Sequence, residues 1–276
     1  MSKAKVALPI VLTILFFSLT LGSASAASQT TTIKGPVILK VNQYYVLYTT
    51  PDVPYIDKQN RFMLPLRAIS ELLGAHVSYD KISKKATVAW DGKTVEVMIG
   101  SRNVSYDGEI TQLDTVPVIK QGQVFIPARV LLDGLKIDGS YKDSLLTITD
   151  EKFKQSKIIS DIEISGIDFY NTSKGIAIET NDIRPLSYEL TLPTANSDSK
   201  IATLKVKAKN ISGEDMAKGT EDLRPTFIST VGYQFDPPNK ESSPVKDGAM
   251  FERTWNRIDL TSGPLEYILA VGKTAD

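Results

Sequence analysis

The sequence predicts an α+β domain followed by an all-β sandwich, and three observations carry that prediction. Short strands with period-2 alternation occupy roughly residues 37–150, and a short helical unit occurs twice in that stretch, 62 residues apart. Beyond residue 157, strand-like runs continue without helical periodicity. At 276 residues, with 42% hydrophobic and 23% charged residues, the chain is long enough for two ordinary domains and has the balance of a folded protein.

The first segment reads as a targeting signal. Lys3 and Lys5 precede an apolar run from Val6 to Leu21, and Ala24 and Ala26 in "GSASA" form the small-x-small pattern that signal peptidase reads. Residues 1–26 are therefore expected to be a signal peptide, and Ala27 the first residue of the mature chain. The alternative is a retained membrane anchor, because the apolar run approaches spanning length. Residues 27–35 read as a linker. Removal of Lys3 and Lys5 leaves a net charge of about −2, which lacks the basic excess that nucleic acid or an anionic lipid surface would require. With no cysteine, neither a disulfide nor lipid attachment to a cysteine is available, so stability must come from core area.

Residues 36–151 read as one domain. In "VILKV", Val37, Leu39 and Val41 share a face, as do Val95, Val97 and Ile99 in "TVEVMI". In "LPLRAISELLG" (Leu64 to Gly74), Leu66, Ile69, Leu72 and Leu73 form one apolar stripe. Pro65 suits a first helical turn, and Gly74 suits the left-handed exit. The frame returns in "IPARVLLDGL", Ile126 to Leu135, so helices are predicted over 66–73 and 128–135. The same offset aligns Pro65 with Pro127, Arg67 with Arg129, Glu71 with Asp133, Leu73 with Leu135 and Tyr79 with Tyr141. Two copies are too few for a solenoid, so the pair is expected to complete one α+β domain with two short helices.

Residues 157–276 read as an antiparallel sandwich after the charged stretch "DEKFKQSK". Alternating runs occur at Ile158–Ile167, Gly175–Thr180, Leu186–Leu192, Ile201–Asn210, Pro225–Phe235, Met250–Leu260 and Leu265–Val271, broken by Asn, Gly, Pro and Ser.

The stretch from Val37 to Asp150 resembles the stalk-type domain named after the N-terminal domain of copper amine oxidases. The resemblance lies in "RFMLPLRAISELLGAHVSYDKISKKATV", "DGKTVEVMIGS" and "VPVIKQGQVFIPARVLLDGLKI". It implies an accessory domain of a twisted antiparallel sheet curled around a helix, of the kind common in secreted proteins of Gram-positive bacteria and remote from copper chemistry. The second copy departs from the pattern: Lys136 stands where the family has glycine and Ala128 where it has leucine. The C-terminal part resembles the immunoglobulin-like sandwiches of secreted bacterial proteins.

No catalytic constellation is complete. His76 is the single histidine, there is no Asn-Tyr pair for a quinone cofactor, and one imidazole without thiolates cannot fill a copper or zinc coordination sphere. No metal or cofactor is therefore expected, and His76 reads as a structural or solvated residue. Ser-x-x-Lys occurs at Ser78, Ser197 and Ser243 without an amphipathic helix behind it. Gly92-Lys93-Thr94 and Gly272-Lys273-Thr274 lack the earlier glycine of a phosphate loop. Arg67 and Arg129 sit in first helical turns, where a cation opposes the macrodipole. Their repetition reads as an internal clamp from helix to sheet, with ligand binding as the alternative. Tyr44, Tyr45, Tyr48 and Tyr55 form a candidate ligand surface for sugar rings, weighed against strand packing. Lys205, Lys207 and Lys209 read as a solvated strand face whose lysines discourage edge aggregation, with weak affinity for anionic wall polymers as the alternative.

The function expected is that of a secreted or envelope-associated, non-catalytic binding, adhesion or scaffold protein whose partner is a cell-wall glycan or an envelope protein. Nucleic acid, and a membrane after signal cleavage, are not expected partners. The alternative is an extracytoplasmic hydrolase with a carboxylate site in the C-terminal domain, since 32 acidic residues leave many possible pairs.

Overall fold

The computed structural model describes residues 30–50, 53–154, 159–160, 181–229, 231–235 and 240–274. The expected signal segment, and the runs Ile158–Ile167 and Gly175–Thr180 apart from residues 159–160, lie outside them. Among the described residues the chain is mostly β, with three helices and no helix long and apolar enough to cross a membrane.

Strands are numbered in chain order. An antiparallel sheet joins β1 (Thr30–Pro36), β15 (Ile183–Pro193), β16 (Ile201–Asn210) and β19 (Met250–Asp259). A second runs β10 (Glu109–Gln112), β9 (Asn103–Tyr106), β8 (Lys93–Met98), β7 (Lys85–Trp90) and β6 (His76–Asp80). A third runs β11 (Val118–Lys120), β12 (Gln123–Pro127), β5 (Phe62–Pro65) and β4 (Tyr55–Ile56). The largest has seven strands: β13 (Asp138–Lys142), β14 (Leu145–Thr149), β2 (Leu39–Val41), β3 (Tyr44–Tyr48), β20 (Leu265–Thr274), β17 (Glu221–Ser229) and β18 (Gly232–Phe235).

The two expected helices form where the sequence places them. Helix α1 (Leu66–Leu72) follows β5 and α2 (Ala128–Leu135) follows β12, with Pro65 and Pro127 at the N-cap positions in extended backbone. Strands β5 and β12 pair antiparallel so that Leu64 faces Ile126, its own equivalent at the 62-residue offset. Gly134 lets α2 approach β8 closely: a Cβ there would meet Val95 Cγ2 at 2.4 Å and the Tyr106 ring at 2.6 Å.

Strand β3 corrects several expectations at once. Its residues Tyr44, Tyr45 and Tyr48 are 1%, 2% and 6% exposed, so the run presents no exposed aromatic surface on which a sugar ring could stack. The run "YYVLY" is apolar throughout because both its faces are covered. Tyr44, Val46 and Tyr48 join the core of the N-terminal half, while Tyr45 and Leu47 join the core between the seven-stranded sheet and the β1–β15–β16–β19 sheet. On one edge β3 pairs with β2, and on the other with β20, more than 200 residues away in sequence. One phenol reinforces the junction. Tyr188 on β15 accepts from the Tyr48 N–H at 3.0 Å and donates to the Tyr48 carbonyl at 2.9 Å.

The N-terminal half is therefore not a self-contained sheet. Residues 30–35, expected to be linker, belong to β1 and bury Ile33 in the C-terminal core, because β1 pairs with β15 along its whole length. Nor is every pairing antiparallel, since β14 runs parallel to β2. The charged stretch after Asp150 holds a short helix, α3 (Glu151–Lys154), opened by a hydrogen bond from the Phe153 N–H to Asp150 Oδ1 at 2.9 Å. In the C-terminal half, the run Pro225–Phe235 is a hairpin of two strands.

Candidate functional site

A cavity of about 460 Å³ opens where α1 lies across the junction of β3 and β20. Val46, Pro65, Ala68 and Leu72 supply apolar wall, and the Tyr267 ring stands among them. Tyr48, Thr50, Arg67, Glu71, Gln123 and Glu266 bring polar groups from four separate segments. Next to it, a groove of about 390 Å³ shares Glu71, Leu72 and Tyr267 and continues past Trp90, Asp91 and Lys152.

The floor is held by backbone geometry. The Thr49 hydroxyl is within hydrogen-bond distance of the Leu265 and Glu266 carbonyls, at 3.1 and 2.7 Å, fixing the end of β3 to the start of β20. Trp90 Nε1 donates to the Leu73 carbonyl at 2.9 Å, which ties the exit of α1 to β7. Lys152 lies over the Trp90 ring at 4.9 Å and pairs with Asp91 at 2.5 Å. Burial, with Glu266 alongside, raises the Tyr267 phenol above its ordinary range. Tyr48 is raised further by burial, with Tyr188 adding to the shift. Both phenols are therefore neutral hydrogen-bonding groups at neutral pH.

The arginines behave differently from a matched pair of clamps. Arg67 is half-exposed and meets Glu71 of its own helix at 3.3 Å, so this pair ties α1 to no sheet. Arg129 reaches Asp114, ahead of β11, at 2.6 Å; Asp114 also lies 3.7 Å from Arg61, which Asp57 holds at 2.6 Å. That cluster links α2 to the ends of the four-stranded β4–β5–β12–β11 sheet, but the Arg129–Asp114 pair is half-exposed and contributes about 0–1 kcal/mol. Tyr55 is half-buried against Phe125, with Lys120 over its ring at 4.7 Å, and lies outside the cavity.

Other residues singled out by the sequence lie elsewhere. His76 is exposed on β6, and no group of three or more potential metal ligands occurs among the described residues. The lysine row lies on β16, an inner strand between β15 and β19 rather than an edge, which corrects the edge reading. Its neighbours are acidic: Glu189 binds Lys34 at 2.8 Å and Glu252 lies 3.8 Å from Lys205, making an ion-pair ladder on the outer sheet face.

Residues 40–149 match the family model of the copper amine oxidase N-terminal domain. This part of the chain is a copper amine oxidase N-terminal-like domain. The match is to the accessory domain of those oxidases and not to their catalytic domain. Comparison with curated proteins finds no match to the chain. The copper amine oxidase N-terminal-like domain supplies α1 and Gln123 to the cavity and Trp90 to the adjoining groove; the C-terminal half supplies Leu265, Glu266 and Tyr267. Arg67 and Tyr48 stand out in the sequence but Tyr267 and Gln123 do not, because nothing local to "PLEYIL" or "KQGQVF" says that β20 and β12 begin beside α1.

Proposed function

We propose that this is a secreted, envelope-associated, non-catalytic binding protein, in which a duplicated stalk-type scaffold and an immunoglobulin-like sandwich together frame one recognition groove beside α1. The observation that carries this reading is the cavity at the seam. It combines an aromatic ring, apolar wall and neutral hydrogen-bonding groups at a place where two halves of the chain meet, a common setting for ligand sites. The meeting of Leu64 with Ile126 supports the duplication, and the buried core between the β17–β20 and β15–β19 regions supports the sandwich. The signal-like N-terminus supports export.

A hydrolase with its acidic site in the C-terminal half draws little support from the carboxylates found there. Glu221 and Asp222 are buried on β17, but Arg253 holds Glu221 at 3.0 Å and Arg224 holds Asp222. Each acid is engaged by a guanidinium, and their neighbouring positions on one strand send them to opposite faces.

The test uses the mature chain, 27–276, incubated with purified cell-wall sacculi. The wild-type protein should co-sediment, and Ala68→Trp, which fills the groove from an exposed helix position, should not. Release of soluble wall fragments by the wild-type chain, or equal retention of the variant, would contradict the reading.

A further inference from the structure

Two features of the cavity specify the chemistry of what it holds. The first is an unused hydroxyl. Tyr48 lines the cavity and is 6% exposed, yet its Oη has no hydrogen-bond partner among the described residues. A buried hydroxyl without a partner is unfavourable, and a polar group entering the cavity would relieve it. The second is charge balance. Arg67 is already met by Glu71, and in the adjoining groove Lys152 is met by Asp91. An anionic ligand would have to compete with these pairs, whereas an apolar one would leave Tyr48 and Gln123 unsatisfied.

What remains for a ligand is the Tyr267 ring, neutral donors and acceptors on Tyr48, Thr50 and Gln123, and the Glu266 carboxylate, which opposes an anion and can accept from a hydroxyl. A ring with C–H groups on its face and hydroxyls on its rim satisfies both kinds of surface. We propose that the cavity binds a neutral carbohydrate, with Tyr267 as the stacking platform and Tyr48 and Gln123 as hydrogen-bonding partners. The adjoining groove, which shares Tyr267, makes the ligand an oligosaccharide spanning both sections rather than a single sugar. This inference rests on the binding reading above and adds the ligand class to it.

The test is calorimetric titration of the 27–276 chain with the uncharged tetramer of N-acetylglucosamine, with cellotetraose, and with inorganic polyphosphate as the anionic control. Saturable binding of a neutral tetramer is expected, weakened about tenfold or more by Tyr267→Ala and roughly five- to tenfold by Tyr48→Phe. Tyr48→Phe also has an opposite expected effect on the free protein: it should raise the thermal midpoint, because it removes an unpaired hydroxyl. Lack of binding to both tetramers, binding only to polyphosphate, unchanged affinity in both variants, or a lowered midpoint for free Tyr48→Phe would overturn the proposal. If the tetramers fail while sacculi still retain the wild-type chain and not Ala68→Trp, the ligand class is wrong and the binding reading stands. If sacculi retain neither, both fall.

Discussion

Lys136 ends α2 with φ 57° and ψ 43°, the left-handed conformation that Gly74 adopts after α1 with φ +78°. A side chain with a Cβ is disfavoured there by about 1–2 kcal/mol, and the exposed Lys136 makes its cap bond through the backbone, to the Leu132 carbonyl. Lys136→Gly should therefore stabilise the protein by roughly 0.5–1 kcal/mol once the extra freedom of glycine in the unfolded chain is counted, read as a higher urea midpoint. The departure from the family pattern was legible in the sequence and its cost follows from geometry. Tyr45 carries a second residue-scale expectation. Burial, partly opposed by Arg184, pushes its phenol up to about 12 from an ordinary value near 10. The folded state keeps this proton where the unfolded state loses it, so the stabilisation is complete below about pH 10 and is lost as pH rises toward 12, by up to about 3 kcal/mol. Urea midpoints at pH 9, 10, 11 and 12 should fall, and Tyr45→Phe should flatten that fall. An equally steep decline in the variant would show that Tyr45 does not titrate as described.

At the scale of elements, α1 and α2 were legible because their signals are local: a proline at each start, an apolar stripe, and a glycine after the first. Helix α3 was equally local, with Asp150 as cap and Glu151 in the first turn, but its single turn was hidden in a charged run that read as a boundary. Strand β3 was legible as a strand and illegible in its place. An apolar run such as "YYVLY" fits either a half-exposed aromatic face or burial on both sides, and only the distant β20 decides between them. The same holds for β1, whose threonines give a mostly exposed edge strand with little apolar signature. This topology has a direct consequence. A 27–156 fragment strips β1 of β15 and β3 of β20, exposing Tyr45 and Leu47 along with an unpaired strand edge. It should fail to give dispersed amide resonances, whereas a well-dispersed spectrum would show that β20 is dispensable to the N-terminal fold.

At the scale of the whole molecule, a seven-stranded sheet shared by the two halves runs beside the proposed binding site. The sheet brings β3 and β20 together, and the cavity is lined by the end of β3, the start of β20 and α1. The chief rival surface is the outer face of the β1–β15–β16–β19 sheet, where Lys34, Lys205 and Lys207 lie among Glu189 and Glu252 in an open depression. Its charges are largely matched across the strands, so it offers an ion-pair ladder to solvent and little apolar contact. The two surfaces can be told apart by amide chemical-shift mapping of the 27–276 chain titrated with soluble, enzymatically released wall fragments. Binding in the cavity should perturb amides clustered at Val46, Thr50, Ala68, Gln123 and Tyr267. Perturbations confined to Lys34, Ser187, Lys205 and Lys207, or none at saturating fragment, would contradict it.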